Sequence, residues 1–341
     1  MKKILLAILV LFIISVGAWY FHQYQENTEE LRIFHAGSLT GLVNDLSVAI
    51  KESYGISILN EPSGSIDVIR KIIDLNKSAD IVMVSDYRLI PELMFTENAA
   101  SWVLAFASNE MVIAYTNSSK YSNEINRESW LDIILRPDVR IGFADPNKDP
   151  CGYRACMVLG LASLALKTTL PLEVLRKYAG INYELGDGSV VLDSSRGVKP
   201  DAKKIFIRDK SVDLIALLES GALDYAFEYK NLAISHNLNY VSLPAKLNLA
   251  DPNLDNWYSL VEIKILGVSN EVKTLKAKSI AYGLTIPSNS RNIDNAKAFI
   301  KLLLSDKGKN LLIKNGFKPL DNPIVKGNVP NWLEEIIRGG D

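Results

Sequence analysis

The sequence predicts an α/β protein built as two lobes with a ligand cleft between them. Short apolar runs alternate with helical-period segments, and that alternation restarts past residue 116. A terminal segment is placed to return to the first unit. A length of 341 residues suits two lobes better than one small core.

Taken in order, LRIFHA (Leu31 to Ala36) reads as a strand. From Leu39 to Ser53, apolar residues at Leu39, Leu42, Val43, Leu46 and Ile50 mark one face of a helix. Ile56 to Asn60 is a second strand, Ile66 to Leu75 a second helix, and Asp80 to Ser85 a third strand. Such a β-α-β-α-β succession argues for a parallel sheet covered by helices on both faces. A long strand is expected within Trp102 to Thr116. The second unit has strands at Arg140 to Ala144, Lys204 to Ile207 and Asp224 to Phe227, with helices at Tyr153 to Leu166 and Val212 to Glu219. Tyr258 to Leu266 and Ser279 to Pro287 read as strands, and helices at Asn292 to Leu304 and Lys307 to Asn315 follow. The expected division is residues 31–112 with 282–341 as one lobe and residues 113–281 as the other. Extended connections near Met111 to Thr116 and Ala281 to Ile286 would form a two-segment hinge.

Residues 1–30 differ from the rest. Lys2 and Lys3 precede an unbroken apolar stretch from Ile4 to Phe21, and His22 to Glu30 reads as a polar spacer. At about 1.5 Å per residue the stretch comes close to spanning ~30 Å of hydrocarbon, so it is either a signal peptide or an uncleaved membrane anchor. Both alternatives put the remainder outside the cytoplasm, since the two lysines favour the inside.

A formal net charge of −1 and the lack of any basic run argue against a nucleic-acid partner. No cofactor is implied. Asp251, Asn253, Asp255 and Glu262 have calcium-loop spacing, but Asn256 stands where that loop needs glycine. His22, His35 and His236 are isolated from one another, and no Gly-x-Ser-x-Gly elbow supports a hydrolase. Cys151 and Cys156 sit five apart at a helix start and point to different faces, so they read as two small semi-buried residues.

Three strand-to-helix junctions point to an anion site. Ala36-Gly37-Ser38 follows the first strand, and Ser63-Gly64-Ser65 follows the second. In both, glycine lets the backbone approach a ligand, and free N–H groups at the helix start favour negative charge. Both open on the same edge of one sheet. The third junction is Asp145-Pro146-Asn147-Lys148-Asp149-Pro150-Cys151-Gly152-Tyr153-Arg154, where Pro150 and Gly152 fix a tight turn. Asp149 would cap the helix there, although a carboxylate beside a bound anion is repulsive unless something compensates.

This decapeptide resembles the DPxxDPCGYR signature of archaeal tungstate/molybdate-binding proteins, the receptors of ABC importers of the WtpA/ModA type. FHAGSL (Phe34 to Leu39), the Ser-Gly-Ser turn, SADIVMVSDYRLI (Ser78 to Ile90), LLESGALDYAFEYKNLA (Leu217 to Ala233) and IAYGLTIP (Ile280 to Pro287) also resemble family segments, in family order. The resemblance implies a class II periplasmic-binding-protein fold: a monomeric, non-enzymatic receptor that delivers a desolvated oxyanion to a permease and its ATPase. Gly37, Ser38, Ser65, Asp149, Pro150 and Cys151 match its binding positions, and Tyr229 matches a tyrosine that donates to the ligand. The counterpart of Asp149 approaches the metal of the oxyanion, and with a second carboxylate raises its coordination from four towards six.

At one position the chain departs from the pattern. The second carboxylate is expected in a stretch often reading Lys-Glu-Val, whereas here Lys210-Ser211-Val212 places a serine. Ser211 can donate to an oxo group but is a poor ligand for a hexavalent metal. That keeps sulfate or phosphate open as the ligand, and the anchor reading keeps open a sensor without a transport role. Glu228, beside Tyr229, is expected to face outward from its strand.

Overall fold

In a computed structural model describing residues 15–16 and 30–339, the first unit has the expected β-α-β-α-β order. It comprises β1 (Glu30–Ala36), α1 (Thr40–Tyr54), β2 (Ser57–Ser63), α2 (Ser65–Ile73) and β3 (Ile81–Val84), followed by β4 (Trp102–Ser108). Helix α1 forms because Leu42, Val43, Leu46 and Ile50 share one buried stripe. It stops at Gly55, whose φ of 72° only glycine adopts at low cost.

The chain then builds β5 (Met111–Tyr115), β6 (Ile141–Ala144) and the long helix α3 (Pro150–Leu166). Next come β7 (Asn182–Leu185), β8 (Val190–Asp193) and β9 (Ile205–Arg208), then a 3₁₀ turn at Ser211–Leu214 leading into α4 (Ile215–Glu219). The remaining strands are β10 (Tyr225–Tyr229), β11 (Asn239–Ser242), β12 (Val261–Leu266), β13 (Val272–Lys276), β14 (Ala281–Thr285) and β15 (Lys318–Gly327). They form three sheets, ordered β15-β4-β14-β3-β1-β2, β11-β5-β10-β6-β9 and β13-β12-β8-β7. Each of the two larger sheets belongs to one α/β lobe. Helix α3 is buried from Pro150 to Ser163 because it is packed between the second and third sheets. Gly160 makes that possible: a Cβ there would lie 2.8 Å from Val261.

The single long strand expected within Trp102 to Thr116 is instead two strands in different sheets. The break falls at Asn109 and Glu110, where the Asn109 side chain accepts from the Glu110 N–H and donates to Asn231. Two polar residues turn the chain, and a reading based on apolar runs bridges them. The return to the first sheet follows residues 277–280. Cys151 and Cys156 are free, buried thiols. Apart from Ser15 and Val16, the leader reading at Ile4 to Phe21 lies outside the described residues, among which no helix is long and apolar enough to cross a membrane.

One consequence of this topology positions the site. Strands β1, β2 and β3 run parallel in the first sheet, and β6, β9 and β10 run parallel in the second. Their carboxyl ends all lead into the same region.

Candidate functional site

Beyond β1 the chain turns at Gly37 and buries Ser38, whose Oγ accepts a hydrogen bond from Tyr282 Oη at 3.2 Å. Beyond β2, Ser65 opens α2, and its Oγ accepts from the Ser85 N–H at 3.0 Å and lies 3.1 Å from Ser85 Oγ. Ser85 itself follows β3. Beyond β6, Asp149 caps α3: its Oδ1 accepts from Cys151 N at 2.9 Å and its Oδ2 from Ser211 N at 3.1 Å. Pro150 supplies the first helical residue, where its missing N–H costs nothing. Gly152 is required, since a Cβ would sit 2.0 Å from the carbonyl oxygen of Ala144. Beyond β9 comes Ser211, and β10 ends at Tyr229.

Tyr229 Oη accepts from Arg154 Nη1 at 2.6 Å, and the same nitrogen donates to the Ser85 carbonyl at 2.7 Å. Arg154, 1% exposed, also lies 3.2 Å from the Asp86 carboxylate. Asp86 pairs with Arg88 at 2.6 Å and accepts from Tyr153 Oη at 2.7 Å. Burial opposes charge on Asp86, but Arg88 and Arg154 prevail and hold its carboxyl below the usual range. The Tyr229 and Tyr282 rings meet edge to face with centroids 5.6 Å apart.

The two lobes touch around these groups. Ile66 N donates to the Lys148 carbonyl at 3.0 Å, and a Cβ at Gly64 would come within 2.4 Å of that oxygen. Asn231 Nδ2 donates to the Ser38 carbonyl at 2.9 Å, and a Cβ at Gly37 would lie 3.2 Å from Val212. Contacts therefore run in a closed ring from Ser38 through Tyr282, Tyr229, Ser85, Ser65, Gly64, Lys148, Asp149, Ser211 and Val212 back to Gly37.

Three hydroxyls of the ring are held from behind. Ser38 accepts from Tyr282, Ser65 from a backbone N–H, and Tyr229 from Arg154, so each can offer its own proton to a ligand. Burial pushes the Asp149 carboxyl up to about 6, against two backbone N–H donors that favour its charge. Burial also pushes the Cys151 thiol up, leaving it a poor nucleophile. Such an arrangement suits holding a small anion by neutral donors rather than transforming it.

Gly37, Ser38, Ser65, Asp149, Pro150, Cys151, Ser211 and Tyr229 all lie at this junction. Sequence reasoning missed Ser85, Asp86, Arg154 and Tyr282 as participants. Ser85 and Asp86 lie in the quoted SADIVMVSDYRLI segment, just past a third parallel strand, and that position was their available signal. The outward orientation expected for Glu228 is wrong: its side chain is 0% exposed. On β10, Tyr225, Phe227 and Tyr229 face the large core, while Ala226 and Glu228 face the side covered by Leu214 and Leu218. Both faces of that strand are covered, so alternation alone has no outside to assign.

A model of the bacterial extracellular solute-binding protein family matches residues 31–318. The chain belongs to that family. This solute-binding protein is 39% identical over 337 residues to an uncharacterised solute-binding protein of Staphylothermus marinus, covering 98% of this chain and 96% of the relative. It is 38% identical over 352 residues to the molybdate/tungstate-binding protein WtpA of Thermococcus kodakarensis, covering 99% of this chain and 97% of that one. Among solved structures, the periplasmic molybdate-binding protein of Azotobacter vinelandii superposes with a TM-score of 0.56 at 14% identity, covering 84% of this chain and 98% of that one. That likeness shows the two-lobed α/β fold. The family is one of receptors, not of enzymes.

Proposed function

We propose that this solute-binding protein captures a tetrahedral oxyanion outside the cytoplasm, tungstate or molybdate before others, and delivers it to an ABC permease. The observation that bears most weight is that the buried hydroxyls of Ser38, Ser65 and Tyr229 each already accept a hydrogen bond and so have a proton to give. Relatives named for molybdate and tungstate support the choice of anion. Gly37, Ser38, Ser65, Pro150, Cys151, Ser211 and Tyr229 surround the ligand, with backbone amides and hydroxyls replacing its water. Asp149 faces the positive metal centre rather than the oxo groups.

The lobes comprise residues 31–112 with 282–341 and residues 113–281, moving about the two connections between the larger sheets. The ligand enters when they part, and closure brings Gly64 against Lys148. The segment Ile4 to Phe21 either tethers the receptor or is removed on export. Sulfate is the second reading, and Ser211, in place of a carboxylate, is what favours it.

Titration of the purified protein with tungstate, molybdate, sulfate and phosphate tests the proposal. A ligand that binds only the folded state adds RT ln(1 + [L]/Kd), about 2.7 kcal/mol at a hundredfold excess over Kd, and raises the melting temperature accordingly. Tungstate and molybdate should give the largest shifts. An unchanged melting temperature with all four anions would eliminate oxyanion capture.

A further inference from the structure

Two buried side-chain oxygens in this region, Ser211 Oγ and Glu228 Oε1, have no hydrogen-bond partner among the described residues. Leaving such a group unsatisfied is costly, and two together beside a junction that already gathers donors call for a common explanation. The Cys151 thiol, with sulfur 3.9 Å from Oε2, the Ser211 hydroxyl and the Tyr229 N–H all lie near the Glu228 carboxyl, but none of them closes a hydrogen bond to Oε1. No lysine or arginine forms an ion pair with Glu228 among the described residues. The groups facing it are Asp149 and Cys151 from α3, Ser211 from the 3₁₀ turn and, across the sheet, the apolar Val112 of β5.

An ionised carboxylate in that setting would be buried without a cation and beside another acid, which is the most expensive state open to it. Burial first, and the charge of Asp149 second, push the Glu228 carboxyl well above its ordinary range. A neutral carboxylic acid, by contrast, has an O–H to donate. Both Asp149 oxygens already accept backbone N–H groups. A bound oxyanion would bring that O–H an acceptor, and one for the Ser211 hydroxyl as well.

We propose that Glu228 is a ligand-binding and specificity-determining residue which, in its neutral form, donates a hydrogen bond to an oxo group of the bound anion, with the Ser211 hydroxyl as its companion donor. This rests on the oxyanion reading and deepens it. Two neutral donors stand where a second carboxylate would otherwise reach the metal, so the anion is held as a tetrahedron through its oxygens. Asp149 remains the single carboxylate on the metal side.

The test uses the full chain, purified in detergent, with tungstate and sulfate titrated calorimetrically. Wild type is measured first: if it binds neither anion, the oxyanion reading falls and takes this one with it. Given a wild type that binds, Glu228→Met should weaken binding at least tenfold, because the volume is kept and the donor lost. Glu228→Gln should recover most of that loss, because its amide still donates. Melting temperatures without ligand separate binding from folding, and Met should fold at least as well as the buried acid. If Glu228→Met binds as tightly as wild type, Glu228 does not touch the ligand. If Glu228→Gln is as weak as Glu228→Met for tungstate while sulfate is unaffected, a carboxylate on the metal is required. Either result overturns the proposal.

Discussion

On the first-sheet side of the site, Ser38, Ser65 and Ser85 are neutral and every hydroxyl has a partner. On the second-sheet side, Asp149, Cys151, Ser211 and Glu228 bring two acids together and leave two buried oxygens unpartnered. Neutral, satisfied donors suit anions in general, because they ask only for acceptor oxygens of the right spacing. Acids are selective, because each is favourable only toward a metal centre, a proton or a matching acceptor. On the proposed reading, the first wall supplies the grip and the second the choice of what is gripped.

The largest expected effect comes from Arg154, which joins the two walls through Tyr229, Ser85 and Asp86. Replacing it by methionine leaves Tyr229 without its buried donor and Asp86 with Arg88 as its one cation, beside the Tyr153 hydroxyl. Removing one partner of a buried ion pair costs about 3–5 kcal/mol, and the surviving Arg88 contact puts this case near the lower end. Arg154→Met should therefore lower the urea midpoint by more than any serine variant of the first wall. A loss no greater than that of Ser65→Ala would mean the walls are not held together at Arg154.

A pH series separates the walls next. Asp149 has a folded value near 6 against an ordinary 3.8, so the folded state binds its proton more tightly than the unfolded one. Stability contributed by this group is present below about 4 and lost as pH rises to about 6, a swing of roughly 3 kcal/mol. Asp86 has the opposite sign: its depressed value stabilises the fold above its ordinary range and is lost only in stronger acid. Between pH 4 and 6 the ligand-free protein should thus lose stability from Asp149 as pH rises. Urea midpoints of Asp149→Asn should be flatter across that window, whereas Ser65→Ala should keep the wild-type slope. A wild-type slope in Asp149→Asn would show that its carboxyl is not buried as described.

The same two walls differ in how much of them could be read beforehand. Gly37-Ser38, Ser63-Gly64-Ser65 and the Asp149 to Gly152 turn were legible because close approach and helix capping each demand particular residues at a strand-to-helix junction. Tyr282 and Arg154 were not, because they act by holding Ser38 and Tyr229 from behind, and nothing local marks a supporting hydrogen bond. Much of the third sheet, and β15 at the edge of the first, was similarly hidden. Strand β7 is mostly exposed, and β15 contains Asp321, Asn322 and two prolines, so neither has the apolar run that announces a strand. Glu228 was misread for a different reason. Period-two alternation says that Glu228 and Tyr229 face opposite ways, but not that α4 and its preceding turn cover the side on which Glu228 lies.

The smallest expected effect is a coupling within the second wall. Ser211 is 1% exposed and stands beside Glu228, so Ser211→Glu alone would place a third buried carboxyl among Asp149 and Glu228. It should reduce stability and leave tungstate selectivity over sulfate little improved. Exchanging the two residues, Ser211→Glu together with Glu228→Ser, keeps the combined volume and the number of acids, and moves the acid to the position from which the resemblance expects it to reach the metal. The exchange should recover stability and shift selectivity towards tungstate, with an interaction energy of about 1 kcal/mol in a double-mutant cycle. Additive single effects would show that positions 211 and 228 do not share one role. Coupling in stability without any change in selectivity would confine that shared role to packing, and the choice of anion would then rest with Asp149 alone.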